Sequence, residues 1–156
     1  MDLDRVIAVR NDKTVYRDGD DCIKVFAENY AKDDVLSEAL NQARVEKTGL
    51  NVPAIKSVTT IENKWAIVSE FISGKTLDRI MKENPEKKDE YLGKFVDLQL
   101  EVQSKTCPKL NKLTDKMRDK ISVAQIDENT RYELHTRLEG MPKHAKLCHG
   151  DFNPSN

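Results

Sequence analysis

The sequence has few cysteines, no long hydrophobic run and no excess of one charge. Its three cysteines, Cys22, Cys107 and Cys148, are widely spaced and lack the Cys-x-x-Cys pairs of zinc and redox sites, so we expect free thiols in a reducing cytosol. Lys+Arg 26 and Asp+Glu 27 leave a net charge of -1, which argues against nucleic acid or an anionic membrane as a partner. The acidic first residues lack an apolar signal region, and no segment is long enough to span a bilayer. These absences predict a soluble, cytoplasmic protein.

The 156 residues, 38% hydrophobic and 34% charged, suffice for one ordinary domain or two small lobes with a modest core. The first apolar runs are short and rich in β-branched residues. They cover Val6–Val9, Thr14–Arg17 and the segment CIKVF at 22–26, with the turn signals RNDK and DGD between them. This pattern predicts three strands in an antiparallel meander.

A helix with one buried face is predicted over 33–48, where apolar residues recur at helical spacing. Asp33 or Asp34 is the expected N-cap, and Gly49 the expected stop. Beyond Pro53, the segments 54–61 and 65–72 resemble two more strands.

After Ser73-Gly74-Lys75, every apolar pattern has a helical period, which predicts a linker followed by helices. A short helix is expected over 77–83 with Thr76 as a possible cap, and a solvated loop over 82–90. Three further helices are expected around Tyr91–Leu100, Leu113–Ile121 and Tyr132–Leu138. Residues 145–148 are predicted to form a short strand leading to His149.

The segment HGDFNPSN at 149–156 concentrates polar side chains around Gly150 and Pro154. A stiff loop after a strand can present the carboxylate of Asp151 and the amide oxygen of Asn156 to one point. An Asp beside a substrate hydroxyl can accept its proton, and an Asn can supply a hard oxygen ligand for magnesium. The same residues also suit a plain Asn/Pro-rich turn with a capping Asp.

HGDFNPSN resembles the HGDxxxxN catalytic loop of the aminoglycoside phosphotransferase and choline kinase group, small-molecule relatives of the protein kinases. The resemblance extends over the whole chain and implies an α+β, protein kinase-like fold. Residues 1–72 would be a nucleotide-binding lobe with a five-stranded antiparallel sheet, one helix and a hinge, and 73–156 the start of a helical lobe. It also implies an ATP- and magnesium-dependent phosphotransferase acting on a hydroxyl of a small molecule. Asp151 would be the catalytic base and a magnesium ligand, Asn156 a second magnesium ligand, and His149 a brace for the loop.

The resemblance further implies that Lys24, central in CIKVF, holds the α and β phosphates of ATP and pairs with a glutamate of the following helix. Glu38 and Glu46 are the candidates on that helix. Glu38 is favoured because it stands in SEAL ahead of a Val-Pro turn, whereas a negative charge at Glu46 would oppose the helix dipole. A solvent-facing Lys24 and a surface Glu38 remain the simpler structural alternatives.

By the same resemblance, WAIVSEFISGKTL includes the hinge, where the carbonyl of Glu70 and the amide of Ile72 would bind adenine. An edge strand followed by a turn would have the same sequence. The turn at 10–14, RNDKT, has no glycine, whereas protein kinases use a glycine-rich loop to cover the phosphates. Asn11–Thr14 is the candidate for that role, against the alternative of a solvated hairpin tip.

Two further departures from the family concern the residues that brace the catalytic loop and the segments that follow it. The helix before Cys107 has Gln99 and Gln103 where the family often has a Leu-His pair that braces the catalytic loop. Family members continue past the loop Asn to a second metal-binding Asp and a substrate pocket, so we expect a truncated form, inactive as it stands. Its apolar helix faces would then be exposed and favour self-association. A catalytically silent module that binds a nucleotide or a partner is the alternative function.

Overall fold

The computed structural model describes residue 3 and residues 5–156, which form an antiparallel sheet followed mainly by helices. The strands are β1 (Val6–Val9), β2 (Lys13–Asp18), β3 (Asp21–Phe26), β4 (Ile55–Ile61) and β5 (Lys64–Glu70). The helices are α1 (Lys32–Glu46), α2 (Leu77–Glu83), α3 (Lys88–Ser104), α4 (Leu113–Val123) and α5 (Glu128–Gly140), with a 3-10 turn at Pro85–Lys87.

The five strands form one sheet in the order β1-β2-β3-β5-β4, and all of its neighbouring strands are antiparallel. The predicted meander of β1, β2 and β3 and the predicted pair β4 and β5 are therefore confirmed. The α+β class with a five-stranded antiparallel sheet and several helices is confirmed as well. Between β4 and β5, Glu62 and Asn63 have positive φ angles of 49° and 62°, as expected for the central residues of a type I′ hairpin turn.

Alternate residues of β3 enter two different clusters of buried side chains. Ile23 and Val25 pack with two residues of β5, Ala66 and Val68. Phe26, on the opposite face of the strand, packs with residues of β5 and α1, including Val35 of the helix. Lys24 shares the face of Phe26 because the two are separated by one residue, so its side chain lies on the face that α1 covers.

Helix α1 begins one residue before the predicted start and ends two before the predicted end. Its N-cap position is Ala31, whose side chain cannot cap, so the prediction of an Asp33 or Asp34 N-cap is wrong. Both aspartates lie in the first turn instead, where their charges interact favourably with the helix dipole. Gly49 follows the helix with a φ of +79°, which agrees with its predicted role as a stop signal.

The segment 82–90 and the predicted cap of α2 differ from the prediction in detail. The segment 82–90 is not a loop throughout: Pro85 begins a 3-10 turn, and α3 already starts at Lys88. Proline is well accommodated there because the first position of a helical turn needs no amide donor. Thr76 occupies the N-cap position of α2, but its side chain makes no capping hydrogen bond.

The predicted strand at 145–148 is wrong, because these residues have an irregular backbone. Leu147 is nevertheless buried, and its amide donates to the carbonyl of Lys105 just after α3 at 2.9 Å. A single backbone hydrogen bond to a helix end holds the segment without forming a strand ladder. Among the helices of the described residues, none has the length and apolar character needed to cross a membrane.

Candidate functional site

The loop at 149–156 is held in a folded turn by its own polar groups. Gly150 has a φ of +89°, a backbone conformation that other residues rarely adopt. Asn153 Oδ1 accepts hydrogen bonds from the amide and the hydroxyl of Ser155, at 3.1 and 2.6 Å. This Asx-type turn reverses the chain around Pro154, so that Asn156 comes back to Asp151.

Two amide side chains converge on Asp151. Asn156 Nδ2 donates to Asp151 Oδ2 at 2.9 Å and also to the Asp151 backbone carbonyl at 2.7 Å. Asn153 Nδ2 donates to the other carboxylate oxygen, Oδ1, at 3.0 Å. The structure therefore brings Asp151 and Asn156 together, and it adds Asn153, which the sequence analysis did not single out.

These hydrogen bonds stabilise the ionised form of Asp151 and lower the pKa of its carboxyl group below the usual value. The side chain of Asn156 has the largest effect on this pKa, followed by that of Asn153. The charges of His149 and Arg10 lower the pKa further. Because Arg10 follows β1, its effect means that the turn between β1 and β2 lies close enough to the loop to act on its carboxylate.

His149 precedes Asp151 in the sequence, whereas the two asparagines follow it. Its Nδ1 accepts a hydrogen bond from the Asp151 amide at 3.3 Å, and its ring packs edge-on to Phe152 at 5.7 Å between centroids. Phe152 in turn stacks on Phe95 of α3 at 4.6 Å. The Pro154 carbonyl accepts from the amide of Asp78 in α2 at 2.8 Å. Helices α2 and α3 thus anchor the loop, and His149 contacts Asp151 and Phe152 within it.

A cavity of about 260 Å³ separates α3 from the first half of the loop. Its lining includes Gln99 and Gln103, the two α3 residues that stand where the resembling family often has a Leu-His pair, together with His149. A second cavity of about 130 Å³ lies beside the loop end, between Leu77, Phe95 and Asn156. Both cavities adjoin residues of the loop.

A second polar cluster lies on the face of the sheet covered by α1. Lys24 Nζ forms an ion pair and hydrogen bond with Glu38 Oε1. The two side chains are only 28% and 31% exposed, so the pair is partly shielded from water. Glu38 also forms an ion pair with Lys13 of β2, whose Nζ lies 3.9 Å from Glu38 Oε2. One carboxylate therefore faces two ammonium groups.

The other helix candidate, Glu46, has a different contact. Its Oε1 accepts from the amide of Ile55 at the start of β4, at 2.8 Å. Glu46 therefore joins the helix end to the sheet, while Glu38 is the glutamate of α1 that meets Lys24. The preference for Glu38 agrees with this contact, and a role of the pair in nucleotide binding stays a prediction.

The two proposed hinge residues lie at the end of β5 and beyond it. Glu70 is the last residue of β5, and its amide donates to the Ala54 carbonyl at 2.9 Å. Ile72 has a side chain that is 52% exposed. Between them, the amide of Phe71 donates to the Asp20 carbonyl at 2.9 Å, and its ring packs on Arg17 at 4.0 Å. The described contacts fix this segment against the β2–β3 turn and do not bring it to Lys24 or Asp151.

The donor set at the loop suits a hard cation in its chemistry. Asn156 uses its amide nitrogen toward Asp151, so its amide oxygen is the atom left to act as an acceptor or ligand. Carboxylate and amide oxygens are ligands that magnesium prefers. Within the part of the chain that the structure describes, no group of three or more His, Cys, Asp or Glu could hold a metal ion.

No model of a known protein family matches the chain, and a search of curated proteins gives no match either.

Three contacts of this site escaped the sequence analysis. Asn153 lies inside HGDFNPSN, and an asparagine before a proline is a turn signal. That signal pointed to a turn that brings the Asn153 side chain back to Asp151. Lys13 lies within Asn11–Thr14, the segment predicted to cover the nucleotide. Its contact with Glu38 had no signal of its own, since a lysine beside a hairpin turn usually faces solvent. The stack of Phe95 on Phe152 joins residues 57 positions apart and depends on how α3 packs.

Proposed function

We propose that the protein binds ATP with magnesium and transfers its γ-phosphoryl group to a hydroxyl of a small molecule, as in the aminoglycoside phosphotransferase and choline kinase group that its sequence resembles. The sheet with α1 would be the nucleotide-binding lobe of a kinase-like fold, and α2 to α5 with the loop would be part of the helical lobe. The observation that carries the proposal is the ion pair between Lys24 and Glu38.

That ion pair supports a phosphate-binding role because it fixes a cation between a central strand and a helix. Lys24 carries a flexible side chain, and a partner that restrains its ammonium group lowers the entropy lost when a phosphate binds. The pair is partly shielded, which strengthens its interaction with an anion relative to bulk water. A surface ion pair on an exposed helix would offer neither property.

The loop supplies the groups for the transfer itself. The acceptor's hydroxyl oxygen would form a bond to the γ-phosphorus while the bond from that phosphorus to the β–γ bridging oxygen breaks and ADP leaves. Asp151 would orient the hydroxyl and take its proton. Asn156, which already holds the Asp151 backbone and carboxylate, would keep that carboxylate in position, while His149 would position the loop backbone through the Asp151 amide.

Asp151 and Asn156 would be the residues that hold magnesium, through a carboxylate and an amide oxygen. When bound, the ion would neutralise charge on the phosphates during transfer. The backbone carbonyl of Glu70 and the amide of Ile72 would bind the adenine. A small-molecule alcohol is the proposed acceptor.

Isothermal titration of ATP with magnesium into the intact chain, and into two matched glutamate variants, tests the binding part. Glu38→Gln removes the charge that restrains Lys24, and we expect it to weaken ATP binding about tenfold, equivalent to about 1.4 kcal/mol. Glu46→Gln lies on the same helix and keeps an acceptor for the Ile55 amide, so its affinity should equal that of the parent chain. Equal affinities for the two variants would contradict the role of the Lys24–Glu38 pair.

The transfer part is tested with the full product of the gene, by ADP release with a panel of alcohols that includes aminoglycosides, sugars and choline. We expect Asp151→Asn to lower the transfer rate at least about a hundredfold, because the amide cannot accept the proton. Undiminished transfer by Asp151→Asn would eliminate Asp151 as the base.

A nucleotide-binding module without transfer is the second candidate, and one observation favours it. Both carboxylate oxygens of Asp151 accept amide hydrogen bonds, which lower its pKa and make it a weaker base. Under this alternative, ATP binds and depends on Glu38, yet no alcohol of the panel is phosphorylated. The two measurements above therefore separate the two functions.

A further inference from the structure

We propose that Lys13 is a second polyphosphate-binding cation, which together with Lys24 forms one anion site on the α1 side of the sheet. This inference deepens the proposed function and rests on it for the identity of the ligand, the triphosphate of a nucleotide. It assigns the phosphate contacts that a turn without glycine leaves open. The juxtaposition of Lys13, Lys24 and Glu38 carries it.

Strand register places the two lysines as diagonal neighbours. Lys13 lies directly opposite Phe26, and Val15 lies directly opposite Lys24. Opposite residues of an antiparallel pair share one face, so Lys13 and Lys24 both lie on the face of Phe26. Diagonal neighbours are about 7–8 Å apart at their Cα atoms, a separation that two oxygens of a polyphosphate chain can bridge between flexible lysine side chains.

The surroundings of Lys13 hold its ammonium group on this face. Lys13 Nζ lies 3.9 Å from Glu38 Oε2 and 5.9 Å from the centre of the Phe26 ring. Its side chain is 28% exposed, the same fraction as that of Lys24. In the other ion pairs among the described residues, the basic side chains are 44% to 75% exposed. Lys13 is therefore restrained in a way that a solvated hairpin lysine is not.

The charges of the cluster do not cancel. Two ammonium groups face the single carboxylate of Glu38, so these three side chains together carry one net positive charge. The carboxylates of Asp12 and Asp34 act with Glu38 on Tyr30 nearby. An anion that displaces neither contact would complete the balance. Glu38 would then act as the positioning residue for both lysines. This role explains why Lys13 joins the Lys24–Glu38 pair on the α1 side of the sheet.

One amide of the turn is already used inside the hairpin, and the side chain at the end of the turn supplies a restrained cation. A glycine-rich loop binds phosphate through its amides. Here the Arg10 amide donates to the Lys13 carbonyl at 2.8 Å and closes the turn, and the Ala27 amide donates to the Asp12 carbonyl at 2.8 Å. The first hydrogen bond closes the β1–β2 hairpin, and the second extends the pairing of β2 with β3 by one step. Lys13, the first residue of β2, is the nearest fixed cation that could replace those amides.

The test measures binding of inorganic tripolyphosphate, ATP and adenosine to the full chain by titration calorimetry. The variants are Lys13→Met, Lys13→Arg, Lys24→Met and, as the matched control, Lys64→Met. Lys64 begins β5 and shares the face of Ala66 and Val68, which is the opposite face of the same sheet. Lys64→Met therefore makes the same change of charge on a strand of this sheet outside the proposed site.

We expect Lys13→Met to weaken tripolyphosphate and ATP about tenfold each, the loss of one charged hydrogen bond, and to leave adenosine binding unchanged. Lys13→Arg should bind within about twofold of the parent chain, because the charge is kept. Lys24→Met should resemble Lys13→Met, and Lys64→Met should resemble the parent. Parental tripolyphosphate affinity in Lys13→Met would overturn the inference.

A measurement on the parent chain covers the case of a variant that does not fold. Amine acetylation, quantified by mass spectrometry with and without tripolyphosphate, should show Lys13 and Lys24 protected together and Lys64 equally reactive. Protection of Lys24 without Lys13 would overturn the inference while the nucleotide function stands. Protection of both lysines in a chain that binds neither ATP nor adenosine would support the anion site and contradict the proposed kinase function.

Discussion

At the scale of single residues, Asp151 is the group whose chemistry depends most on its neighbours. The residue is exposed, so burial does not define its acidity. The side-chain amides of Asn156 and Asn153 do so instead, because they donate to its carboxylate oxygens and lower the pKa of its carboxyl group. The loop therefore presents an ionised carboxylate whose position is fixed by asparagines.

We expect Asn156→Ala to raise the pKa of Asp151 toward its ordinary value, and Asn153→Ala to raise it by a smaller amount. The order follows from the hydrogen bonds, since the Asn156 side chain has the larger effect on this pKa. Carbon-detected NMR titration of the labelled aspartate carboxyl groups measures both shifts. Asn111→Ala, a change in the loop between α3 and α4, is the control and should leave the pKa of Asp151 unaltered.

The sign of the pH dependence follows from the same contacts. A carboxyl group whose pKa is lowered by folding contributes stability that is present above its unfolded pKa and is lost as the pH falls through its folded pKa. The loop should therefore keep its hydrogen bonds at neutral pH and lose them only in acid. An Asp151 pKa that does not respond to either asparagine variant would contradict this account.

At the scale of elements, α4 and α5 form a helical hairpin that Arg131 holds together. Its guanidinium group donates to four carbonyls at the end of α4 and in the following turn. They belong to Ile121 and Ser122, both at 2.6 Å, Ala124 at 3.0 Å, and Ile126 at 3.2 Å. The carbonyls of Ile121, Ser122 and Ala124 lie at the end of α4, where a helix leaves its last acceptors without partners, and a cation there also interacts favourably with the dipole of α4. Asp127 caps α5 from the same turn by accepting from the Thr130 amide at 2.9 Å.

We expect Arg131→Met to lower the free energy of unfolding of this hairpin by on the order of 2 kcal/mol, because several charge-assisted hydrogen bonds are lost. Hydrogen exchange of the α4 and α5 amides measures this change locally, and urea unfolding measures it for the chain. Arg131→Lys should recover only part of the loss, since an ammonium group cannot reproduce the planar fork.

Arg137→Met is the matched control for that experiment, because Arg137 lies on the same helix with a side chain that is 75% exposed. Its ion pair with Glu133 is long, at 4.0 Å, and we expect a change within about 0.5 kcal/mol. Equal effects of the two arginine variants would mean that the carbonyl contacts of Arg131 contribute nothing specific.

At the scale of the whole molecule, apolar side chains are unevenly buried. The two buried clusters lie on either side of the sheet, whereas α3 has no buried residue. Val96 and Leu100, one helical turn apart on α3, are 51% and 58% exposed. Exposed apolar stripes of this kind favour association.

We expect the chain to bind the dye ANS and to associate in a concentration-dependent way in sedimentation velocity experiments. The double variant Val96→Lys/Leu100→Lys should reduce both effects, because it places charges on the exposed stripe. Asp97→Lys adds a positive charge on the same helix outside that stripe and should leave association close to the parental level. A monodisperse monomer without dye binding would contradict the expectation.

The sequence alone determined most of the local elements, because strand and helix periods and turn residues act over a few positions. The strands of the sheet, α1, α2 and the helices around Leu113 and Tyr132 follow from such patterns. Local signals failed where the outcome depended on a distant partner. The segment 145–148, predicted as a strand, instead meets the end of α3. The N-cap position expected at an aspartate is Ala31, because α1 starts earlier.

Only the tertiary structure decided how the candidate site is assembled. Strand order placed β5 between β3 and β4, and packing of α1 on one face of the sheet brought Glu38 to both Lys24 and Lys13. The fold of the loop brought Asn153 as well as Asn156 to Asp151. A residue's place in a pattern predicts the face on which it lies, but the group that it meets depends on packing between segments distant in sequence.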